Sequence, residues 1–396
     1  MKKIMILGAS IYQLPAIVKA KEMGLYTIVV SRPGDYPGFA VADNSYYIDA
    51  SDSDKVLEIA KKEKIDAITT ICTDFPMRTV AKVASNLGLP GISEQAAYNA
   101  TDKIAMRICL GKNGVPIPKF RIAKNKIEFL HVIKDFSGKC VVKAPDNSGS
   151  KGIKMLNNTD DIDKAVEAYD YCIQFSKSGM ILIEEFMNGP EVCVETLNYK
   201  GVCYPIQVTD QLKKMPPYFT DAGYSQPTLL SENVRMEIEK VAIAANIALE
   251  NYNGSSCTEI IVTNKGPKVV EVGPRLAGDC MTTHLVPLST GVNMVENVIN
   301  IALGNEINID KTINKGSCIR YFLKPVIGKI KDIKGVDEAR KVCGIQDVVL
   351  LKHPGDQAVE LRSSNDRIAY VISQADTADK AINICEEALN KIEVIV

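Results

Sequence analysis

The sequence has few histidines and no closely spaced pair of cysteines. Only three of its 396 residues are histidines, at positions 131, 284 and 353, and these are too few and too far apart to predict a histidine metal site or a catalytic triad. The eleven cysteines show no Cys-x-x-Cys spacing, and most lie in apolar surroundings such as Lys139-Cys140-Val141-Val142. We therefore predict reduced core thiols rather than a structural zinc site.

The chain also lacks a charge bias and a long apolar run. Its 47 basic and 48 acidic side chains nearly cancel, so no electrostatic footprint for nucleic acid or an anionic membrane is present. No segment approaches the length of a transmembrane helix, and the N-terminus moves straight into a strand pattern. These absences favour a cytoplasmic protein that acts on small molecules, with no nucleic-acid or membrane partner. The length predicts roughly two to four domains.

Two familiar nucleotide motifs are missing as well. Gly8 has no glycine partners at the spacing of the dinucleotide fingerprint, which argues against bound NAD. No Gly-x-x-x-x-Gly-Lys-[Ser/Thr] sequence occurs, so a Walker A loop is excluded.

Residues 1–95 alternate short apolar strands with helical patterns. The predicted strands are 4–7, 27–30 and 67–71, and the predicted helices are 14–23, 53–62 and 79–87. This alternation predicts a parallel sheet covered on both faces. Ligands collect at the carboxyl ends of such strands, which here are Gly8-Ala9-Ser10 and Cys72-Thr73-Asp74.

The rest of the chain has an α+β character. A strand over 140–143 leads into a glycine- and serine-rich loop, and strands resume from about residue 192. The tail shows strand patterns at 319–323, 348–351 and 368–373, followed by a closing helix at 379–392. We interpret the tail as a separate small α+β lobe.

Two glutamates stand in otherwise apolar strand segments, a short hairpin apart. Glu259 and Glu271 flank the turn, and Arg275 follows four residues after the second. A buried carboxylate is tolerated when it is paired or coordinates a cation, and oxygen ligands of this kind suit Mg²⁺ held together with substrate phosphates. Two solvent-facing edge carboxylates are the alternative. Arg275 favours the metal interpretation, because a transferring phosphoryl group needs a fixed cation.

Register decides whether the two glutamates meet. A three-residue loop over 264–266 sets Glu259 opposite Glu271, whereas a four-residue loop over 264–267 sets Glu259 against Val272. The metal interpretation requires the first register.

Two lysines stand before features that can bind phosphate. Lys143 ends a strand just ahead of the loop 146–152, whose backbone N–H groups can face phosphate oxygens. A strand-end lysine reaching water is the plainer interpretation of Lys143, and the signal at Lys103, at a helix start, is weaker still.

Taken in order, these features resemble the ATP-grasp superfamily over almost the whole chain. The resemblance rests on Asp102-Lys103, Val142-Lys143, the Gly/Ser loop, the segment 182–191, Glu259 and Glu-Val-Gly-Pro-Arg at 271–275. The stretch from Gly88-Leu89-Pro90 to Asp102-Lys103 and the tail are similar to L-amino acid ligases, which belong to the carboxylate–amine ligases.

The resemblance implies an ATP-grasp fold that combines α/β and α+β parts in three domains. These are an N-terminal Rossmann-like pre-ATP-grasp domain at 1–95, an ATP-grasp domain at 96–315 and a small C-terminal α+β lobe at 316–396. A small lid lobe would occupy about 116–187.

The resemblance also implies ATP with Mg²⁺ or Mn²⁺ as cofactors and assigns roles to individual residues. Glu259 and Glu271 would hold the metal, and Arg275 would stabilise the transferred phosphoryl group and the acylphosphate. The implied ATP contacts are Lys103, Lys143, Ser148, Gly149, Ser150, Gly152, Glu184, Glu185, Met187 and Glu191. The family usually has asparagine where this chain has Gly273, so one metal oxygen is missing or is replaced by water.

The predicted function is an ATP-dependent ligase that joins a small-molecule carboxylate to an amine, with amino acids as expected substrates. The pattern allows a homodimer. A bicarbonate-activating carboxylase of the aminoimidazole or biotin carboxylase type and a non-catalytic ATP-binding regulatory module are the alternatives. Candidate substrate contacts are Asp279, His284, Tyr218 and Tyr224.

Overall fold

The computed structural model describes residues 1–146, 152–213 and 220–396. Four sequence-predicted site residues, Ser148, Gly149, Ser150 and Tyr218, lie outside these ranges. Across the described residues, no helix has both the length and the apolar character needed to cross a membrane.

The N-terminal region forms the predicted parallel sheet. Its four strands lie in the order β3-β2-β1-β4, all parallel. The elements are β1 (Lys3–Leu7), α1 (Leu14–Glu22), β2 (Tyr26–Ser31), α2 (Pro37–Val41), β3 (Asn44–Tyr47), α3 (Ser53–Glu63), β4 (Ala67–Thr69), α4 (Met77–Leu87) and α5 (Glu94–Thr101).

Both faces of this sheet are covered, which confirms the prediction from the strand composition. Ile4 and Ile6 of β1 pack with α1 residues on one face, while Met5 and Leu7 pack with Val56 of α3 on the other. The carboxyl ends of β1 and β4 therefore open toward the same edge.

A small antiparallel sheet follows, with strand order β5-β8-β6-β7. The elements of this region are α6 (Lys103–Lys112), β5 (Phe120–Ala123), α7 (Lys126–Val132), a short 3₁₀ turn (Ile133–Asp135), β6 (Cys140–Lys143), β7 (Ile153–Leu156), α8 (Ile162–Ile173) and β8 (Ile181–Glu185). Phe129, Cys140, Ala165 and Ile183 form part of its buried core.

The largest sheet has eight strands in the order β13-β12-β9-β10-β11-β14-β19-β17. Its middle elements are β9 (Glu191–Tyr199), β10 (Val202–Lys213), β11 (Asp221–Gln226), α9 (Glu232–Ala248), β12 (Gly254–Thr263), β13 (Gly266–Gly273), a π-helical turn (Met281–Leu285), α10 (Val286–Thr290) and α11 (Met294–Ala302). Helix α9 packs through Ile238 and Ala242 against Val194, Val208 and Ile260.

Three strands of the tail continue this same large sheet. The predicted domain boundary at 316 falls at the first residue of β14, and the tail as a separate domain stays a proposal. The tail elements are β14 (Gly316–Tyr321), β15 (Gly328–Lys329), β16 (Asp332–Lys334), α12 (Val336–Arg340), β17 (Ile345–Leu350), β18 (Gln357–Ala358), a 3₁₀ turn (Ser364–Asp366), β19 (Ala369–Ala375), α13 (Ala378–Lys391) and β20 (Glu393–Ile395).

Candidate active site

Glu259 and Glu271 lie directly opposite each other on β12 and β13. The predicted pairing is confirmed, but both predicted loop lengths were wrong. The turn has two residues, with Thr263 paired to Gly266, and a β-bulge between Glu259 and Ile260 shifts the register. With a two-residue turn and a regular ladder, Glu259 would pair with Val270. The bulge leaves Val270 as the extra residue, so Glu259 pairs with Glu271 instead.

A lysine ammonium group already occupies one side of this carboxylate pair. The Nζ atom of Lys103, at the start of α6, lies 2.9 Å from Oε1 of Glu271. Burial alone would raise the pKa of Glu271, but the charge and hydrogen bond of Lys103 outweigh it and hold the pKa below its usual value. Glu271 therefore stays ionised at neutral pH.

The two carboxylates fit a magnesium site that substrate phosphates complete. Within the described ranges no group of three or more His, Cys, Asp or Glu side chains could hold a metal by itself. Mg²⁺ is commonly held by one or two carboxylates together with phosphate oxygens and water. Glu259 and Glu271 supply such a pair of oxygen ligands on one sheet face.

Arg275 lies just beyond β13 and forms an ion pair with the N-terminal region. Its Nη2 atom is 2.9 Å from Oδ2 of Asp74, which follows β4. Gly273 makes room for this arrangement, because a Cβ atom at that position would lie 2.9 Å from Cζ of Arg275. The sequence interpretation of Gly273 as a missing metal ligand is therefore incomplete, since the glycine also gives space to the guanidinium group.

Lys143 is held in a buried charge cluster that includes an arginine the sequence reasoning missed. Both carboxylate oxygens of Glu184 are engaged, one by Nζ of Lys143 and one by Nε of Arg107, each at 2.5 Å. The cluster is almost fully buried, and the two cations lower the pKa of Glu184 to about 2 despite its burial. The sequence feature that could have pointed to Arg107 is its position among the apolar residues of α6.

The remaining predicted nucleotide contacts lie along the segment that joins the small sheet to the large one. Glu185 pairs with Lys268 of β13, Met187 lies between β8 and β9, and Glu191 begins β9. Gly152 has a φ of +70°, and its carbonyl oxygen accepts a hydrogen bond from the backbone N–H of Ala144 at 2.9 Å. Glu185, Met187 and Glu191 therefore follow the connection from the small sheet to the large one, whereas Gly152 directly precedes β7 in the small sheet.

The structure brings two of the predicted substrate contacts together. The hydroxyl group of Tyr224 donates to Oδ2 of Asp279 at 3.2 Å, and the buried Arg367 contacts the same oxygen at 3.0 Å. Arg367 was another residue that the sequence reasoning missed. His284 is exposed and shares a hydrogen bond with Thr283.

Glu195 is a buried carboxyl group that no motif in the sequence marks. It lies on β9 opposite Cys257, is fully buried, and neither of its carboxyl oxygens has a hydrogen-bond partner in the described part of the chain. Burial raises the pKa of Glu195 from 4.5 to about 8, although the charge of Arg275 acts in the opposite direction. Glu195 is therefore mostly protonated at neutral pH.

We predict that the parent loses stability between pH 5 and pH 8 because of Glu195, and that Glu195→Gln removes this loss. The unfolded carboxyl group loses its proton above pH 4.5, while the folded one keeps it to about pH 8, so native stability falls across this window. Glutamine removes that dependence. The melting temperature of the variant minus that of the parent should be higher at pH 8 than at pH 5, by roughly 2 °C or more. Glu237→Gln, on the exposed face of α9, is the control, and an equal pH dependence in Glu195→Gln and the parent would contradict the prediction.

Comparison with known proteins gives two family matches. Residues 136–283 match the ATP-grasp domain, and residues 320–396 match the L-amino acid ligase C-terminal domain 2. The alanine–anticapsin ligase of Bacillus amyloliquefaciens is 24% identical over 319 residues, which are 72% of this chain and 66% of that relative. The chain thus spans just under two thirds of the length of that relative.

Solved structures show the same fold. The L-amino acid ligase from Bacillus licheniformis superposes with a TM-score of 0.85 at 20% identity, covering 100% of this chain and 98% of the other. Phosphoribosylglycinamide synthetase from Anaerococcus prevotii superposes with a TM-score of 0.82 at 22% identity, covering 100% and 99%. At these identities the likeness establishes the ATP-grasp fold, with its N-terminal Rossmann-like part.

Proposed function

Because residues 136–283 match the ATP-grasp domain and the tail matches an L-amino acid ligase domain, we propose that the protein is an ADP-forming ligase that joins a small carboxylate to an amine. ATP would phosphorylate the carboxylate to an acylphosphate, and the amine would then displace phosphate to form an amide. The observation that carries the proposal is the opposed pair Glu259 and Glu271 with Lys103 and Arg275 nearby. This arrangement can neutralise a polyphosphate and the charge that develops on its terminal group.

We propose a separate role in phosphoryl transfer for each residue of the site. ATP-grasp enzymes use ATP with Mg²⁺ or Mn²⁺, and here Glu259 and Glu271 would hold the ion, which neutralises phosphate charge when it is bound. Lys103 and Lys143 would bind phosphate oxygens, and Arg275 would bind the transferred group. Attack by a carboxylate oxygen needs alignment and charge neutralisation more than a protein nucleophile.

Adenosine would bind where the small sheet meets the large one. Backbone groups near Met187 offer hydrogen-bonding edges for an adenine, and Glu191 can accept hydrogen bonds from both ribose hydroxyl groups. Glu184 would act by fixing Lys143, since both of its oxygens are already engaged. Glu185 would border the same pocket beside Lys268.

Amino acids are the substrates that we propose first, because the tail matches the C-terminal domain of L-amino acid ligases. Release of ADP and phosphate should be screened over pairs of amino acids and small carboxylates, with and without bicarbonate. Turnover that depends on a carboxylate and an amine together supports the ligase. Bicarbonate-dependent turnover, or tight ATP binding without turnover under every condition, would contradict it.

Lys143→Ala should weaken ATP binding by about tenfold or more. The change removes a charge-assisted phosphate contact of roughly 1.5–3 kcal/mol, and Arg107 still neutralises Glu184 in the variant. Isothermal titration calorimetry measures the affinity, and Lys391→Ala at the end of α13 is the control. Equal ATP affinity in both variants and the parent would place Lys143 outside the phosphate site.

A further inference from the structure

Arg107 is a buried cation that contacts a strand in each of two sheets. It lies on α6 and is 1% exposed. Its Nε atom donates to Oε1 of Glu184 on β8 at 2.5 Å, and its Nη2 atom donates to the backbone carbonyl oxygen of Val270 on β13 at 2.5 Å. The third nitrogen, Nη1, has no hydrogen-bond partner in the described part of the chain. Glu184 and Val270 are therefore the described acceptors that fix the position of this guanidinium group.

The carbonyl group that Arg107 contacts belongs to the β-bulge beside the two glutamates. Val270 is the extra residue of that bulge, and the extra residue of a bulge is left unpaired with the neighbouring strand. A backbone carbonyl group in such a place needs a partner from elsewhere, and a charged donor forms a stronger hydrogen bond than a neutral one. The contact with Arg107 therefore favours the bulged register, in which Glu259 lies opposite Glu271.

Helix α6 contacts this part of β13 from two successive turns. Lys103 and Arg107 are four positions apart, so both side chains lie on one face of the helix. Nζ of Lys103 lies 2.9 Å from Oε1 of Glu271, and Arg107 donates to the carbonyl oxygen of the residue before it. The carboxylate of the proposed metal site and the bulge that orients it are thus both attached to α6.

The second acceptor of Arg107 leads to the proposed phosphate site. The other carboxylate oxygen of Glu184 lies 2.5 Å from Nζ of Lys143, and a lysine ammonium group sits on a flexible stem, so its position depends on its partner. Lys143 and Glu184 are both buried, and salt therefore screens their attraction little. Through Glu184, Arg107 fixes this lysine as well as the bulge.

We propose that Arg107 is a positioning residue for phosphoryl transfer, which holds the carboxylate pair Glu259 and Glu271 in a fixed place relative to the ammonium group of Lys143. The proposal rests on the proposed ligase function and adds to it a residue that acts through its neighbours. Groups that are fixed in this way need no rearrangement while charge develops on the transferred group.

Arg107→Lys tests the contact with the bulge without changing the net charge. Lysine has one side-chain nitrogen, and the buried carboxylate of Glu184 will hold it, so the contact with Val270 is lost. We expect the Mn²⁺ affinity of the complex with the β,γ-imido analogue of ATP to fall about tenfold, as for the loss of one charge-assisted hydrogen bond. Binding of the analogue without metal should stay within about threefold of the parent, because Lys143 keeps its charged partner. Electron paramagnetic resonance measures Mn²⁺ binding, and isothermal titration calorimetry measures binding of the analogue.

Arg235→Lys is the control for this exchange. Arg235 is another helical arginine with two acceptors, and both of them, Glu232 and Glu239, lie on its own helix α9. Its replacement should leave both affinities at the parent value. An unchanged Mn²⁺ affinity in Arg107→Lys would overturn the positioning role. Loss of the fold in that variant would overturn it as well, because Arg107 would then hold the fold rather than the site.

A second variant, deletion of Val270, tests whether the effect passes through the bulge. Removal of the extra residue leaves a regular ladder in which Glu259 still pairs with Glu271. In this background the further change Arg107→Lys should leave the Mn²⁺ affinity unchanged, whereas a loss of the same size as in the parent background would overturn the proposal. Absence of Mn²⁺ binding by the parent would contradict the metal site on which the proposal rests. Absence of ADP formation by the parent would contradict the ligase function alone, since both affinities are measured without turnover.

Discussion

Arg275→Lys should lower steady-state ADP formation by about a hundredfold or more while ATP binding changes little. Lysine keeps the positive charge but loses the planar group that can grip two oxygens of a phosphoryl group or an acylphosphate. Loss of one preorganised donor to a developing charge has effects of this size. In the structure Arg275 forms an ion pair with Asp74, and its guanidinium group occupies space that a side chain at Gly273 would fill. Lysine cannot reproduce that fit.

The matched control for this prediction is Arg340→Lys. Arg340 lies in α12 and is half exposed in an ion pair with Asp337, so its replacement should leave turnover unchanged. Parent-like turnover in Arg275→Lys would make Arg275 a structural arginine that ties the large sheet to the N-terminal region. A large loss of ATP affinity would likewise contradict a role confined to the transferred group.

Glu271→Gln should keep the fold and lose metal-dependent turnover, by about a hundredfold or more at a fixed Mg²⁺ concentration. The amide preserves the shape of the side chain but removes a charge that both a metal ion and Lys103 would use, and metal ions supply several kcal/mol of charge stabilisation in such sites. Titration of turnover with Mg²⁺ and Mn²⁺ measures the effect. The far-ultraviolet circular dichroism spectrum should match that of the parent.

Glu167→Gln is the control for the carboxylate pair, because Glu167 is exposed on α8 and pairs only with its helical neighbour Lys164 in the described contacts. If Glu271→Gln gave the same metal titration curve as the parent, the opposed glutamates would not form the metal site. A structure of the protein with Mg²⁺ and a non-hydrolysable ATP analogue would locate the ion independently.

Local patterns in the sequence were enough to predict the parallel sheet, whereas they left two registers open for the two glutamates. Short apolar strands that alternate with helices leave few topologies, and the strand period of two residues sets which side chains share a face. The β-bulge beside Glu259 has no comparable signal, so the loop length was wrong even though the pairing was right.

Contacts between residues far apart in the chain could not be predicted from the sequence. Asp74 and Arg275 are separated by 201 positions, and Arg107 meets Glu184 across 77 positions, so neither pair leaves a trace in local spacing. Glu195 occupies an inward-facing position of a buried strand, where the chemistry of the residue alone does not reveal that its oxygens lack partners. The strands of the tail similarly find their neighbours in a sheet that begins more than a hundred residues earlier.

The most direct test of the ligase function follows one oxygen atom. With a carboxylate substrate labelled with ¹⁸O in its carboxyl group, mass spectrometry of the released phosphate reports where its oxygens came from. We predict one ¹⁸O in each phosphate, because the carboxylate oxygen that attacks ATP stays with phosphorus when the amine displaces it. Phosphate that carries no oxygen from the carboxylate, released at the rate of ADP formation, would contradict an acylphosphate and the ligase function with it.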